Sequence, residues 1–72
     1  MSVLKIQVGK TEREYYLSID DAAMVRYESH EATWDAIYRA VKDIDFTTQN
    51  VELNGLTVPS IDRLVLLVKY ML

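Results

Sequence analysis

The residues that could carry chemistry in this 72-residue sequence are few, and they stand apart from one another. His30 is the only imidazole, and it could act as a general base or as a pH switch. No serine stands in a nucleophile motif and the chain contains no cysteine, so a place in the first turn of a helix explains His30 better. We therefore expect no catalytic residue and no enzymatic activity.

The sequence supports no metal, nucleotide or other cofactor site. The pair Asp20–Asp21 lacks the alternating ligands, central glycine and terminal glutamate of a calcium loop, and acidity at a helix N-terminus accounts for it. The only glycines, Gly9 and Gly55, are predicted in turns, so no glycine-rich loop could hold phosphate. With one histidine and no cysteine, a zinc site of the usual type is excluded. We expect no cofactor and no metal.

Composition indicates a small folded domain with an acidic surface. Hydrophobic residues make up 50% of the chain, too many for disorder, and the formal net charge is −3. A domain this small is marginally stable, and without disulfides oligomerisation or partner binding would supply stability. The acidic balance argues against direct binding to nucleic-acid phosphates. We expect one compact domain over residues 1–72, a cytoplasmic location, no signal peptide and no membrane span.

The first part of the chain is predicted as a β-hairpin followed by a short helix. Apolar and polar side chains alternate over residues 4–8 and again over residues 13–19, which indicates two strands. Ser18 then precedes the acidic pair Asp20–Asp21, an arrangement typical of a capped helix N-terminus. It predicts a helix over residues 20–27.

The clearest helix is predicted from His30 to about Ile44, with Ser29 as its N-cap. Its apolar stripe consists of Trp34, Ile37, Tyr38, Val41 and Ile44, which recur at helical spacing. On the opposite side, Asp35 and Arg39 are spaced for an i,i+4 ion pair.

A second hairpin is predicted over residues 51–58. Asn54–Gly55 at its centre supplies the two positive-φ positions of a type I′ turn, and this register places Leu53 opposite Leu56 on the covered face. Residues 61–72 follow a proline and are predicted as a helix, with a strand as the alternative. The predicted architecture is α+β, with two β-hairpins and two or three helices in the order ββ-α(α)-ββ-α.

Four residues form the predicted interaction surface, namely Tyr16, Leu66, Leu67 and Tyr70. On a C-terminal helix, the last three cannot all face the core that takes Leu64, Val65 and Val68. A second copy of the chain or another protein would cover them, because tyrosine and large apolar residues are typical of protein interfaces.

The sequence therefore predicts a small, non-catalytic protein-interaction module that forms a homodimer. Its expected role is that of a regulator or inhibitor of a larger cytoplasmic protein machine, and its length and acidity suit an accessory protein of a phage or another mobile element. The first alternative is an acidic nucleic-acid-mimicking inhibitor or a weak nucleic-acid binder. The second is a structural or assembly subunit.

Overall fold

A computed structural model describes residues 3–72 and confirms the α+β class. Over this range, five strands and two helices follow one another as β1 (Val3–Lys10), β2 (Tyr15–Ile19), β3 (Val25–Tyr27), α1 (His30–Val41), β4 (Asn50–Leu53), β5 (Leu56–Val58) and α2 (Ile61–Met71). The strands form one sheet in the order β3-β2-β1-β4-β5. The central strand β1 is antiparallel to β2 and parallel to β4, so the sheet is mixed. A parallel pair needs a long crossover, which here contains α1.

Both predicted hairpins are present. β1 pairs with β2 so that Val8 faces Leu17, and β4 pairs with β5 so that Leu53 faces Leu56, in the predicted register. Asn54–Gly55 joins the second pair with φ angles of 49° and 85°, the positive values that a type I′ turn requires.

The predicted helix over residues 20–27 is wrong, because Val25–Tyr27 forms strand β3 alongside β2. The pair Asp20–Asp21 has φ angles of 56° and 64°, so it reverses the chain in a left-handed turn and cannot begin a helix. Ser18, the predicted cap, instead donates its hydroxyl to the Ala22 carbonyl oxygen at 2.6 Å. Aspartate is common both at helix starts and in left-handed turns, and here the turn is formed.

Both helices lie on the same face of the sheet. The strand residues that point to that face are Ile6, Val8, Leu17, Val51, Leu53 and Val58, and they form one buried cluster with residues of both helices. α1 lies against β2 and β3, whereas α2 lies against β1 and β5. Each large apolar side chain buried in this cluster contributes about 1.5–3 kcal/mol relative to exposure. The opposite face, called the open face below, carries Lys5 and Gln7 in solvent.

α1 begins at His30 and is capped by Ser29, as predicted, but it ends at Val41, three residues before the predicted end. Beyond it, the Asp45 carboxylate accepts hydrogen bonds from the Thr47 hydroxyl at 2.6 Å and from the Thr47 amide at 2.9 Å. These two bonds lower the pKa of Asp45 below its ordinary value. Such local side-chain bonds compete with helix continuation and turn the chain toward β4.

The predicted apolar stripe of α1 is correct at its centre and wrong at one edge. Ile37 and Val41 are buried, and Trp34 is partly buried against the core. Tyr38 is 44% exposed, although its ring lies 6.2 Å from that of Trp34. Thr33, which the sequence did not indicate as core, completes the buried stripe, and its hydroxyl donates to the backbone carbonyl four residues earlier at 2.8 Å.

Candidate interaction surface

The C-terminal helix α2 is present within one residue of its predicted range. Ser60 caps it, because the serine Oγ accepts a hydrogen bond from the Arg63 amide at 3.2 Å. Leu64 and Val68 are fully buried, and this pair fixes how the helix is rotated against the sheet. Since a helix turns once every 3.6 residues, the side chain two positions after Leu64 points away from the core.

The outer side of α2 is mixed, because Asp62, Arg63 and Lys69 are exposed there beside two large apolar residues, Leu66 and Tyr70. The outer surface of α2 is defined here by Leu66 and Tyr70, with the half-buried Leu67 at its edge. Leu66 is 58% exposed, and Tyr70, one helical turn later, is 95% exposed. Leaving a large apolar side chain in water forfeits about 1.5–3 kcal/mol of burial free energy. Nearly the whole Tyr70 ring stands in solvent, so the fold of residues 3–72 does not use it.

Two expectations for the rotation of α2 are wrong. Val65 was expected in the core and is exposed, whereas Leu67 was expected outside and is partly buried against the core. The residues of α2 that pack inward are Ile61, Leu64, Val68 and Met71, which recur at i, i+3, i+7 and i+10. Leu67 lies on one flank of this stripe, and Val65 lies on the other.

A depression of about 370 Å³ lies between α2 and the edge strand β5. Its lining residues are Leu56, Thr57, Pro59, Arg63 and Leu67. Leu56 remains 51% exposed even though its cross-strand partner Leu53 is fully buried. The difference arises because β5 is the last strand of the sheet and has no neighbour beyond it. This recess could not be predicted from the sequence, since Leu56 shares the covered face of the sheet with Leu53.

The hairpin beside this depression is anchored by Asn54. Its side chain accepts a hydrogen bond from the Val8 backbone amide at 2.9 Å and donates one to the Val8 carbonyl at 3.0 Å. The backbone amide of Asn54 donates to the Ile6 carbonyl at 2.8 Å. The side-chain amide also lies 3.4 Å from the Met71 sulfur. Asn54 therefore acts as an extra strand residue beside β1 and links the second hairpin to α2.

Tyr16, the fourth residue of the predicted surface, lies away from the other three. Because its neighbour Leu17 points into the core, Tyr16 points to the open face, on the opposite side of the sheet from α2. Its ring lies over Gly9, where an added Cβ would overlap it. A second depression, of about 260 Å³, is lined there by Thr11, Glu14, Tyr16, Met24 and Arg26. The structure thus divides the predicted surface into two separate regions.

The residues with potential chemistry occupy ordinary structural positions. His30 is the first residue of α1, and its ring meets the Tyr15 ring edge-on, with the centroids 6.2 Å apart. In the part of the chain that the structure describes, no three His, Asp or Glu side chains are grouped so that they could hold a metal ion. Neither helix in residues 3–72 combines the length and apolar character needed to cross a membrane.

Comparison with known proteins finds no matching family model, no matching curated protein and no matching solved structure. A function therefore has to be inferred from the residues themselves. Of the seven exposed large apolar side chains in residues 3–72, four lie on α2 and β5, namely Leu56, Val65, Leu66 and Tyr70, and the other three are Met24, Val25 and Tyr38. Scattered single apolar residues are normal on a protein surface, whereas a pair such as Leu66 and Tyr70, one turn apart on one helix, is a candidate contact site.

Proposed function

We propose that this chain is a non-catalytic protein-interaction module that contacts other protein through the outer surface of α2. One observation carries the proposal: Leu66 and Tyr70 stand one turn apart in solvent on a helix whose inner side is fully buried. Tyrosine is enriched among residues that dominate binding, because its ring gives a large contact area with few rotatable bonds. The surface is rigid, since Leu64 and Val68 hold the helix from behind.

The character of this surface favours protein over nucleic acid as the partner. α2 carries only Arg63 and Lys69 as basic residues, and the chain has a net charge of −3, whereas phosphate binding needs a concentrated basic patch. A nucleic-acid mimic would instead present closely spaced carboxylates. α2 instead presents Leu66 and Tyr70 with Asp62 as its only carboxylate, a mixture that suits a protein partner.

The role that we propose for the module is to regulate or inhibit a larger protein machine in the cytoplasm, as an accessory protein of a phage or another mobile element would. The absence of cysteine suits a reducing compartment. The acidic surface would keep an exposed apolar patch from causing non-specific association.

Affinity purification from the native host tests this proposal. The baits are the parent chain, Leu66→Glu, and Ala32→Glu as a matched control, because Ala32 is exposed on α1 and receives the same substitution. We expect a protein partner, either a second copy or another chain, to bind the parent and Ala32→Glu baits and to be lost from Leu66→Glu. Equal capture by all three baits would contradict the proposal.

The nucleic-acid mimic is distinguished in the same experiment by raising the salt concentration. Contacts between exposed charges weaken as the Debye length falls, from about 10 Å at 0.1 M to about 3 Å at 1 M salt. An apolar contact through α2 persists in high salt. Release of the partner from every bait in moderate salt would support the mimic instead.

A further inference from the structure

The outer side of α2 carries both a projection and a recess. Tyr70 projects into solvent with 95% of its surface exposed, and Arg63, seven positions earlier, lines the depression that also contains Leu56 and Pro59. Seven residues span two helical turns, or about 10 Å along the helix axis. A side chain that points outward from the same helix does not cover that distance, so the ring cannot fill the recess of its own chain.

From this spacing we propose that a second copy of the chain covers the surface, with its α2 antiparallel to the first. The inference rests on the proposed function of the same surface and names the partner. The two-fold axis passes between Leu66 and Leu67, the midpoint of the seven-residue interval from Arg63 to Tyr70. In a two-fold contact, each residue pair occurs twice with the roles exchanged. The Tyr70 ring of each copy therefore enters the recess of the other.

The side chains that meet in this arrangement are complementary. The Arg63 guanidinium faces the Tyr70 ring of the second copy, which is a cation–π arrangement. Among residues 3–72 this guanidinium takes part in no ion pair, so it is available for the contact. At the axis, Leu66 of one copy faces Leu67 of the other, and apolar surface left wet in the single chain becomes buried.

The opposite orientation of the two helices does not use the recess. In a parallel pair, Tyr70 would meet Tyr70 of the second copy, and both depressions would stay empty. The antiparallel contact is small, because one aromatic ring supplies about 150–250 Å² and a few aliphatic side chains supply the rest. Its total area falls below the roughly 1,200 Å² of standard protein interfaces, so the dimer is weak and depends on concentration.

Photo-crosslinking tests the register directly. Tyr70 is replaced by p-azidophenylalanine, which keeps the aromatic ring, in a mixture of ¹⁵N-labelled and unlabelled chains. We expect irradiation to give adducts that combine both labels, and fragment mass spectrometry to place the new bond within residues 56–63 or at Leu67, which line the recess. The same replacement at Tyr38, an exposed aromatic residue on α1, is the matched control and should give few mixed adducts.

Matched substitutions test the chemistry of the contact by sedimentation equilibrium. Tyr70→Phe and Arg63→Lys preserve the ring and the charge, and we expect both to retain self-association. Tyr70→Ser and Arg63→Glu remove them, and we expect each to weaken self-association by at least about tenfold. Both substituted positions, Arg63 and Tyr70, are exposed in the single chain, so circular dichroism should show that all four variants are folded.

The failure of this inference differs from the failure of the proposed function. Mixed-label adducts that map neither within residues 56–63 nor to Leu67 would overturn the antiparallel register. If the parent chain stays monomeric up to about 1 mM while the α2 surface still captures a host protein, the proposal that a second copy covers α2 is wrong. The proposal that the chain is a protein-interaction module then still stands. A monomeric parent that captures nothing through α2 would overturn both.

Discussion

Both helices of this domain pack against the same face of the sheet, but their solvent-exposed residues differ. Each is capped by a serine, Ser29 for α1 and Ser60 for α2, and each buries apolar side chains in the common core. On the outer side of α1, Asp35 and Arg39 form an ion pair at 3.1 Å. The corresponding positions of α2 carry Leu66 and Tyr70, whereas the exposed Tyr38 of α1 corresponds to Lys69 in α2.

This difference distinguishes the residues that folding requires from those that it does not constrain. The inner side of each helix must be apolar because it covers the sheet, and the same requirement yields the same pattern in both. The outer side is not constrained by the core, so charged residues there are the ordinary choice and keep the surface soluble. Leu66 and Tyr70, which stand among Asp62, Arg63 and Lys69 on the outer side of α2, are not required by the core, and we attribute them to the proposed contact with protein.

The largest expected effect tests whether the buried sides of α1 and α2 contribute equally to stability. Ile37→Ala in α1 and Leu64→Ala in α2 each remove a fully buried side chain and should each cost about 2–5 kcal/mol of unfolding free energy. That is a large share of the stability of a small domain. Urea denaturation measures both, with the exposed Arg39→Ala as the control. If Leu64→Ala behaved like Arg39→Ala, α2 would not be seated on the core as described.

A second prediction concerns Asn54, which bonds the second hairpin to β1 and touches Met71 of α2, a link that has no counterpart at α1 among residues 3–72. Asn54→Ala removes two hydrogen bonds to the Val8 backbone and should cost about 1–3 kcal/mol. Asn54→Gly tolerates the positive φ but also loses the side chain, so it isolates the hydrogen-bond contribution. Thermal unfolding of both variants is the measurement. A glycine variant as stable as the parent would show that Asn54 serves only as a turn residue.

A third prediction compares the two N-caps. Ser29→Ala and Ser60→Ala each remove an acceptor for a backbone amide, at 3.1 Å in α1 and 3.2 Å in α2. Each should cost about 0.5–2 kcal/mol of unfolding free energy. Because the two caps have the same geometry, chemical denaturation should give similar losses. A loss confined to one helix would mean that tertiary packing, and not the cap, fixes the start of the other.

The smallest expected effects belong to the outer sides. Asp35→Ala removes an exposed ion pair and should change stability by no more than about 0.5 kcal/mol. Leu66→Ser should be equally neutral in dilute solution, where α2 has no partner to cover it. Denaturation at low protein concentration checks both. A cost above about 2 kcal/mol for Leu66→Ser would place Leu66 in the core of the single chain.

The sequence predicted the elements whose signals are local. The Asn54–Gly55 turn follows from backbone conformation alone, and α1 follows from its stripe and its serine cap. β3 was missed because Asp20–Asp21 fits two local structures, and only pairing with β2 decides between them. Such pairing is a tertiary interaction that periodicity cannot reveal.

The candidate site was predicted in part. Leu66 and Tyr70 could be identified because a helix cannot bury every side. The recess beside Arg63 could not, since it depends on β5 being an edge strand and on how α2 lies against it. The parallel pairing of β1 and β4, which sets the position of β5, joins segments more than forty residues apart. Tyr16 was grouped with α2 because sequence alone does not reveal which face of the sheet the helices cover.

Sedimentation equilibrium of the parent, Leu66→Glu and Ala32→Glu tests the central claim most directly. Over about 1 µM to 1 mM, the account predicts that the parent and Ala32→Glu rise from 8.3 kDa toward twice that mass, while Leu66→Glu stays at the lower value and remains folded by circular dichroism. A parent that stays at 8.3 kDa throughout, or a Leu66→Glu variant that associates like the parent, would contradict the claim that the outer surface of α2 pairs two copies.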